Sequence, residues 1–507
     1  MNTKLKTMKA LLARLLPCVF TLGALFAHHA LAGPTFEHVV DFAGDGFNPL
    51  PYSPQAPLVK GTNGNFYGTT EFGGTNNKGT VFKMTPTGVL TTLVNFTNDG
   101  TSNKGAYPLA GLVLGSDGNF YGTASTGGTH DYGTVFKMTP AGVLTTLVNF
   151  TSTGASNKGE GPNALVQGSN GNFYGTTANG GTFDNVGTVF KMTPAGVLTT
   201  LVIFTDATRY KGANPLAGLV QGSNGNFYGT TDQGGHDWGT VFKMTPAGVL
   251  TTLVNFSHND TSNKGSSPDA ALVQGSDGNF YGTTWGGGTH DLGTVFKMTT
   301  GGVLTTLVNF TNNGTSNKGA GPLAALVQAS DGNFYGTTEY GGTNDYGTAF
   351  KITPAGTLTT LVNFNSTNGA TPKAGVCKGS DGNLYGTTFS GGNNGTDAGT
   401  VFRLRFGPTP VTRAATAIAS TTATLNGTVN PHGLATSVRF QIGTAANLAG
   451  SMSLFDTNLP GSTTSQAVSL PVTGLTHNTR YYFRVVAQNA ENAIPQTGKI
   501  LNFNTLP

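Results

Sequence analysis

Seven copies of one short motif constrain the fold of this chain more than any other feature of its sequence. The motif reads [ND]-G-N-[FL]-Y-G-T, and successive copies are separated by 54, 53, 54, 53, 54 and 50 residues. A second constant block, such as Gly133–Pro140, follows the motif, and a third, such as Val143–Phe150, closes the unit. Self-similarity at a fixed period of this length indicates a repeat architecture. The third residue of the motif is Asn65, Asn119, Asn172, Asn226, Asn279, Asn333 and Asn383.

Each unit contains four stretches that are typical of β-strands. In the second unit we place them at Gly111–Gly115, Phe120–Ala124, Thr134–Thr139 and Val143–Phe150. The Asp-Gly and Asn-Gly pairs between them favour tight turns, because Gly and Asn tolerate a positive φ. The third stretch alternates with a period of two, as a strand does. No stretch of the repeat has the i, i+3, i+4 pattern of an amphipathic helix, so we predict none there.

These units predict an all-β fold, a seven-bladed β-propeller with four antiparallel strands per blade over residues 33–406. A right-handed β-helix is the main alternative, but its coils are shorter and carry fewer turn signals. The seventh unit ends at Val401–Leu404 and lacks the fourth-strand block. Phe36–Phe42 aligns with that block. We therefore expect an N-terminal strand to complete the last blade and to leave no open edge.

The first 32 residues have the features of a secretory signal peptide. Basic residues precede the apolar stretch Leu15–Leu25, and Ala30–Ala32 supplies a cleavage site. We therefore expect an extracellular or cell-surface protein with no membrane span after cleavage. Without Lys4, Lys6, Lys9 and Arg14 the chain has 23 Lys and Arg against 23 Asp and Glu, so charge favours no nucleic-acid partner. Cys377 is the one cysteine left, which excludes an intramolecular disulfide.

A Thr- and Ala-rich composition begins after the repeats, and we assign 407–413 to a linker and 414–507 to a second domain. The segment Leu475–Ala487 resembles the E-to-F corner of a fibronectin type III domain, in which Tyr481 would bond back to the upstream backbone. The usual Trp is absent, and Leu425 lies near its place. The resemblance implies a β-sandwich that acts as a spacer or adhesion module. Its alternating runs are Thr421–Val429, Ser437–Ile442, Gln466–Val472, Arg480–Ala487 and Lys499–Asn504.

The repeat blocks also resemble a known family. Asp-Gly-Asn-Phe-Tyr-Gly-Thr and Gly-Thr-Val-Phe-Lys-Met-Thr-Pro are similar to the blocks of the GloVer extracellular tandem-repeat family, from about residue 57 to 406. That resemblance implies an exported bacterial protein with no assigned reaction. The aromatic hairpin is also similar to the sensor propellers of two-component regulators, which implies an extracellular sensor as an alternative.

Candidate ligand-binding residues lie in the loops between strands two and three, where the units differ most and where loops on rigid scaffolds commonly bind. Aromatic side chains there could stack on sugar rings or anchor a peptide, although each could equally pack over its own blade. The aromatic candidates are Phe72, Tyr132, Trp238, Trp285, Tyr340, Tyr346 and Phe389. His130, His236 and His290, each followed by Asp, complete the set. Duplication explains their recurrence, and zinc needs three or four converging ligands, so we predict no metal and no cofactor.

The sequence therefore favours a monomeric binding or scaffold protein whose partner is a polysaccharide or a cell-surface protein. A glycan-active hydrolase or lyase on the same face is one alternative, and a sensor is the other. A hydrolase needs two carboxylic acids about 5 to 10 Å apart. Residues unique to one unit are Glu71, Glu160, Asp232, Glu339 and the pair Arg209-Tyr210. They form no recognisable catalytic arrangement, so no catalytic residue is assigned.

Overall fold

The computed structural model describes residues 34–44, 50–98, 104–151, 158–181, 185–205, 211–235, 238–257, 264–312, 318–490 and 495–507. These residues contain 36 β-strands and no α-helix, which confirms the all-β prediction. They form two compact units, Pro34–Phe406 and Gly407–Pro507. The predicted signal peptide lies outside the described residues.

The described part of the first unit contains seven four-stranded antiparallel sheets, one for each copy of the motif. Six of them consist of four consecutive strands. These are β2 (Val59–Lys60), β3 (Phe66–Thr70), β4 (Thr80–Met84) and β5 (Leu90–Asn95); β6 (Val113–Leu114), β7 (Phe120–Ala124), β8 (Thr134–Met138) and β9 (Leu144–Asn149); β10 (Glu160–Gln167), β11 (Phe173–Asn179), β12 (Thr188–Met192) and β13 (Leu198–Ile203); β14 (Val220–Gln221), β15 (Phe227–Thr231), β16 (Thr240–Met244) and β17 (Leu250–Asn255); β18 (Val273–Gln274), β19 (Phe280–Thr284), β20 (Thr294–Met298) and β21 (Leu304–Asn309); β22 (Val327–Gln328), β23 (Phe334–Thr338), β24 (Thr348–Ile352) and β25 (Leu358–Asn363).

The seventh sheet takes its fourth strand from the other end of the chain. Its strands are β26 (Cys377–Lys378), β27 (Leu384–Thr388), β28 (Thr400–Arg405) and β1 (Thr35–Asp41), in the order β1-β28-β27-β26. Asp41 pairs with Thr400 and Phe36 with Leu404, and the register shifts between His38 and Val40. The first sheet has the same pattern, with Asn95 on Thr80, Leu90 on Met84 and a shift at the corresponding place. The pairing is therefore the one that the sequence alignment predicts.

Aromatic side chains of the motif fill the spaces between neighbouring sheets. Strand two is buried on both faces in every sheet. In β7, for example, all five residues are buried. In most repeats the motif Tyr of one sheet packs against the motif Phe of the next, with ring centroids 4.0 to 4.1 Å apart in Tyr67–Phe120, Tyr121–Phe173, Tyr174–Phe227, Tyr228–Phe280 and Tyr281–Phe334. Tyr385 of the seventh sheet contacts Phe66 of the first at 4.2 Å. The first and last repeats are therefore neighbours in space.

Strand one is shorter than predicted. Of Gly111–Gly115, only Val113–Leu114 forms a strand, and Gly111 and Leu112 before it line a cavity. Strands three and four of this sheet end one residue inside the predicted bounds, whereas strand two has the predicted bounds.

The second unit consists of two antiparallel sheets. One contains β29 (Thr409–Thr416), β30 (Ala423–Asn430) and β33 (Gln466–Val472), and the other contains β31 (Thr436–Gly443), β32 (Met452–Leu459), β34 (Arg480–Asn489), β35 (Gln496–Thr497) and β36 (Leu501–Asn504). The proposed linker 407–413 is wrong for most of its length, since β29 begins at Thr409 and pairs with β30. Strand β32 was also not predicted. The N–H of Thr476 donates to Oη of Tyr481 at 2.9 Å, which is the upstream backbone bond expected of this Tyr.

Candidate functional site

A proline-containing segment joins each repeat to the preceding sheet; it precedes strand one in six repeats and lies within the longer strand β10 in the third. The residue before the proline has a φ between 47° and 62° in all seven repeats. Its N–H donates to a carbonyl of the preceding repeat at 2.8 to 3.1 Å. The bond from Ser53 to the carbonyl of Ala398, at 2.9 Å, joins the first repeat to the seventh in the same way. The seven turns therefore stand in equivalent places. The residues before proline are Ser53, Tyr107, Gly161, Asn214, Ser267, Gly321 and Thr371.

The residues after these prolines line one cavity of about 490 Å³. Its wall is mostly Ala and Gly, and Thr hydroxyls of neighbouring repeats hold the wall in place, as where Thr176 Oγ1 donates to the carbonyl of Ala217 at 2.8 Å. We call the seven residues that directly follow proline the inner set. It consists of Gln55, Leu109, Asn163, Leu216, Asp269, Leu323 and Lys373.

A second set of equivalent residues directly follows strand two, except in the third repeat, where the equivalent residue Ala178 still belongs to β11. In six repeats the N–H of this residue donates to the carbonyl of the residue before proline at 2.9 to 3.1 Å, as from Trp285 to Ser267. We call these residues the outer set. It consists of Glu71, Ser125, Ala178, Asp232, Trp285, Glu339 and Phe389. Members of the outer set interact with the cavity-lining inner set at several places, as Glu71 does with Gln55 and Glu339 with Lys373, and we call the two sets together the mouth.

The mouth does not share the symmetry of the sheets around it. In the second and third repeats both sets are neutral and lack aromatic rings, with Leu109, Ser125, Asn163 and Ala178 at the four positions. The carboxyl groups, the ammonium group and the large rings belong to the other five repeats. Because six of the seven repeats share the same backbone bonds at these positions, most of this difference lies in the side chains.

Lys373 forms the cationic side of the mouth. Its Nζ lies 3.9 Å from Oε1 of Glu339 and 3.9 Å from the centre of the Phe389 ring. In the first repeat, which neighbours the seventh, Gln55 Nε2 donates to Oε2 of Glu71. Burial raises the pKa of Glu71, although the Gln55 hydrogen bond and the charge of Lys373 oppose the rise. Three repeats thus contribute to one continuous polar contact area.

Asp232 and Asp269 form a carboxyl pair across the boundary between the fourth and fifth repeats. Burial is the main cause that raises the pKa of Asp269 to about 8, and the charge of Asp232 and the hydrogen bond between the two side chains add to it. Oδ1 of Asp269 is buried, and no N–H of the described residues donates to it. The raised pKa favours the protonated form of Asp269 near neutral pH.

Two exposed aromatic rings belong to the fifth and sixth repeats. Trp285 is 45% exposed and Tyr340 is 43% exposed. They lie on either side of Gly321, where a Cβ would be 3.0 Å from Trp285 Nε1 and 3.5 Å from Tyr340 Cδ2. Burial, followed by the charge of and hydrogen bond to Glu339, raises the pKa of Tyr340. The two rings are therefore in contact with the polar part of the mouth.

The other predicted aromatic residues do not join this group. Phe72 stacks on Tyr52 with ring centroids 5.4 Å apart. Tyr132 and Trp238 pack on the apolar clusters between sheets, and their carbonyls accept the joining bonds described above. Tyr346 has the same loop position and is 42% exposed. Of the seven aromatic candidates, Trp285, Tyr340 and Phe389 are thus the three that reach the mouth.

The histidine candidates lie out on the loops. His130 and His290 are exposed, and the ring of each is hydrogen-bonded to the hydroxyl of the neighbouring Thr, at 2.9 and 2.8 Å. Asp131 closes its loop by accepting from the N–H of Gly127 at 2.9 Å. His236 lies outside the described residues. No group of three or more metal-ligating side chains occurs in the part of the chain that the structure describes.

Sequence reasoning missed the inner set, including Asp269 and Lys373. The variable loops drew attention because whole segments differ there, whereas the inner set is a single variable position inside the constant pattern Pro-x-Ala. A comparison of the seven units column by column would have found it, since Gln, Leu, Asn, Leu, Asp, Leu and Lys follow proline in turn.

The repeats match a known family model, that of the Gloeobacter/Verrucomicrobia repeat, at residues 20–160, 152–327 and 313–437. The chain belongs to this family. No curated protein matches the chain. Within the residues that the structure describes, no helix is both long and apolar enough to cross a membrane.

Several solved structures are similar to parts of this chain at low identity. The sensor domain of the anti-sigma factor RsgI4 of Pseudobacteroides cellulosolvens is 19% identical over 20% of this chain and 94% of its own, with a TM-score of 0.17. A puromycin-hydrolyzing peptidase of Mycobacterium tuberculosis is 12% identical over 79% of this chain and 62% of its own, with a TM-score of 0.43. The endo-arabinase of Bacteroides thetaiotaomicron is 13% identical over 73% and 96%, with a TM-score of 0.26.

Proposed function

We propose that this chain is an exported glycan-binding protein, in which a seven-bladed β-propeller holds its ligand at the mouth of its axial cavity. A fibronectin type III-like sandwich follows the propeller as a spacer. The protein acts at the cell surface or outside the cell, and binds without a chemical step.

The propeller assignment rests on the contacts between repeats. Each sheet packs on the next through the same aromatic pair or its equivalent, and the seventh packs on the first through Tyr385 and Phe66. The backbone bond from Ser53 to Ala398 repeats the joint found at the six other boundaries. Seven equivalent segments lining one cavity are what a closed array of blades requires.

The chemical asymmetry of the mouth carries the functional proposal. A cavity that served packing alone would have similar side chains at its seven equivalent positions, as the Ala- and Gly-rich wall does. The inner and outer sets instead combine acids, one lysine and exposed rings on one side. A concave, largely apolar site with a few polar groups is the usual form of a ligand site.

A glycan fits this arrangement better than a hydrolytic reaction does. The exposed faces of Trp285 and Tyr340 suit stacking on sugar rings, and Glu339 and Lys373 offer hydrogen bonds to hydroxyl groups. The charge of Asp232 helps to raise the pKa of Asp269, so the two acids act on each other as a coupled pair and not as the separated acid and nucleophile or base of a glycosidase.

The C-terminal assignment rests on two antiparallel sheets and the bond from Thr476 to Tyr481. In fibronectin-like and immunoglobulin-like sandwiches a tyrosine at this corner makes such a bond. These domains commonly separate or attach other modules, so we assign no binding site to this one.

A glycan array followed by a reducing-sugar release assay tests the proposal on the exported chain. We expect binding without release of product. Trp285→Ala, which copies Ala178 of the third repeat, should weaken binding at least tenfold. Tyr346→Leu is the matched control, since it removes an equally exposed ring away from the mouth and copies Leu292 of the fifth repeat. Turnover of a glycan, or equal loss in both variants, would contradict the proposal.

A further inference from the structure

The tyrosine corner of the second unit indicates no ligand, whereas the outer face of its larger sheet does. We infer that this face binds an acidic polysaccharide, whose carboxylate or sulfate groups are held by Arg439, Arg480 and Arg484. The inference goes beyond the glycan site at the mouth and does not depend on it. Such a contact attaches the exported chain to an acidic polymer outside the cell.

The three arginines lie on one face of the five-stranded sheet. Gln441 of β31 pairs with Arg484 of β34, and Arg439 lies two residues before Gln441. The alternate residues of both strands, such as Phe440 and Val485, belong to the core of the sandwich, so the residues between them face outward. We call the outward group the arginine face. It consists of Arg439, Gln441, Arg480, Tyr482, Arg484 and Asn504.

The guanidinium groups of the arginine face have neutral partners. Nε of Arg484 donates to Oε1 of Gln441 at 2.6 Å, and Nε of Arg480 donates to Oδ1 of Asn504 at 3.1 Å. Nε of Arg439 is buried and has no hydrogen-bond partner in the described part of the chain. Burial lowers the pKa of Arg484, and no carboxyl group opposes this effect. The Nη groups of Arg480 and Arg484 are thus available to an oxyanion, to which a guanidinium group can donate two parallel bonds.

Arginines of the first unit are paired in a different way. Arg403 and Arg405 both bond to the carboxylate of Glu37. No ion pair of this kind involves the arginine face among the residues that the structure describes. Like charges without a counter-charge oppose folding, so a structural role accounts poorly for the three arginines.

Positive charge is concentrated in the second unit. Residues 407–507 contain five Lys and Arg against two Asp and Glu, whereas residues 33–406 contain 18 against 21. Three of the five basic residues belong to the arginine face. An anionic partner is therefore attracted to this unit, and to this face of it in particular.

The spacing of the charges favours a polysaccharide over a nucleic acid. Diagonal neighbours on paired strands, such as Arg439 and Arg484, lie about 7 Å apart, and residues four apart on β34 lie about 13 Å apart. Duplex DNA carries a charge every ~1.7 Å along its axis, which is far denser. The amide groups of Gln441 and Asn504 and the ring of Tyr482 lie beside the charges, where they suit the hydroxyl groups and the ring of a sugar.

The apolar content of the face argues against a lipid surface. Val486 is the aliphatic residue of β34 on this face, and it is 2% exposed. Protein surfaces that enter the membrane interface expose apolar side chains together with basic ones. The arginine face presents polar groups instead, so we commit to the polysaccharide.

Binding to immobilised polysaccharides tests the inference on the exported chain. The probes are polygalacturonate, dextran sulfate and uncharged dextran, measured by biolayer interferometry at pH 7 in 50 and 300 mM NaCl. We expect at least one acidic polymer to bind in 50 mM salt and dextran not to bind. The tighter of the two identifies carboxylate or sulfate as the group recognised. Its affinity should fall at least tenfold in 300 mM salt, because salt screens exposed charges.

Arginine variants decide whether this face is the site. Arg480→Gln combined with Arg484→Gln should weaken binding at least tenfold. Arg480→Gln alone, at an exposed position, should weaken it at least threefold and keeps the test decisive if the double variant folds poorly. Arg413→Gln is the matched control, because it removes an exposed arginine of the other sheet, and it should change the affinity less than twofold.

The outcomes separate this inference from the proposed function. Equal losses in Arg413→Gln and Arg480→Gln would show attraction to net charge alone and overturn it. Tighter binding of duplex DNA or of phosphatidylglycerol vesicles than of either acidic polymer overturns it in favour of that partner. Loss of polymer binding with Trp285→Ala would move the polymer to the mouth. Failure of both acidic polymers overturns this inference and leaves glycan binding at the mouth standing.

Discussion

The carboxylate of Glu37 accepts hydrogen bonds from Nε and Nη2 of Arg403, both at 2.7 Å, although the two residues are 366 positions apart in the chain. Arg405 Nη2 adds a third bond to the same carboxylate at 3.0 Å. In the first sheet the corresponding pair is Thr91 and Lys83. Thr91 carries no charge, so Lys83 has no opposite charge at the paired position. The sheet whose fourth strand comes from the distant N-terminal segment thus has a charged clamp that an ordinary hairpin does not need.

Glu37→Gln and Arg403→Lys should therefore loosen the seventh sheet. Lysine is the residue of the other six repeats, but it cannot make the paired bonds of a guanidinium group. Because Glu37 is one-third exposed, we expect a loss of about 1 kcal/mol in the free energy of unfolding. Urea denaturation measures it, with Lys297→Arg as the control. A parent-like midpoint for both variants would show that the clamp is unimportant.

Deletion of Phe36–Phe42 should have a far larger effect. It removes β1 and leaves β28 with an unpaired edge, which is a template for association with other chains. We expect early melting and high-mass species on size-exclusion chromatography. A deletion variant that elutes and melts like the parent protein would disprove the role of this strand.

The carboxyl pair at the mouth should make stability depend on pH. The pKa of Asp269 is raised to about 8, whereas an unfolded Asp titrates near ~3.9. Between these values the folded protein holds a proton that the unfolded chain has lost. The stabilising contribution is thus complete below about pH 4 and disappears as the pH rises through 8, with a slope on the order of 1 kcal/mol per pH unit.

Asp269→Asn should remove this slope, which urea denaturation at pH 5, 6, 7 and 8 will measure. Asp277→Asn should keep it, because hydrogen bonds and Lys297 lower the pKa of Asp277 despite some burial, so it titrates below this range. An unchanged slope in Asp269→Asn would mean that the pair does not share a proton.

Two glycines with similar φ values should differ in their tolerance of alanine. Gly239 (φ 91°) ends a loop where a Cβ would lie 2.6 Å from Cδ of Pro268 in the next repeat. Gly278 (φ 79°) has no atom within 4 Å of the same point. Gly278→Ala should cost about 1 kcal/mol from its backbone conformation alone. Gly239→Ala should cost about 2 kcal/mol more through overpacking, because its Cβ would also lie 2.5 Å from the carbonyl O of Thr231; equal costs by thermal melting would refute the crowding at this position.

The sequence predicted the regular parts of the structure well because their signals occur in several copies. Strand two of the second repeat has the predicted bounds, Phe120–Ala124, and the pairing of β1 with β28 follows the alignment of Phe36–Phe42. The prediction was weaker where a signal occurs once. Pro410 and the short segment before it resembled a linker, yet they begin β29, whose partner β30 lies further along the chain.

The site was predicted only in part for a similar reason. Trp285 and Tyr340 were found because aromatic residues in a polar loop are conspicuous. Asp269 and Lys373 were not found, because each occurs once and gains its meaning from a neighbour in another repeat, Asp232 or Glu339. Such contacts depend on how repeats pack side by side, which a periodic pattern does not reveal.

The position after each proline has a consequence for how such proteins diversify. The turn before it holds its shape through backbone bonds and a left-handed residue, so the side chain that follows is free to vary. Recombination that swaps one unit for another exchanges a single group of the lining while every joint stays intact. The ligand preference can thus change by one of the seven lining side chains at a time, while the scaffold stays the same.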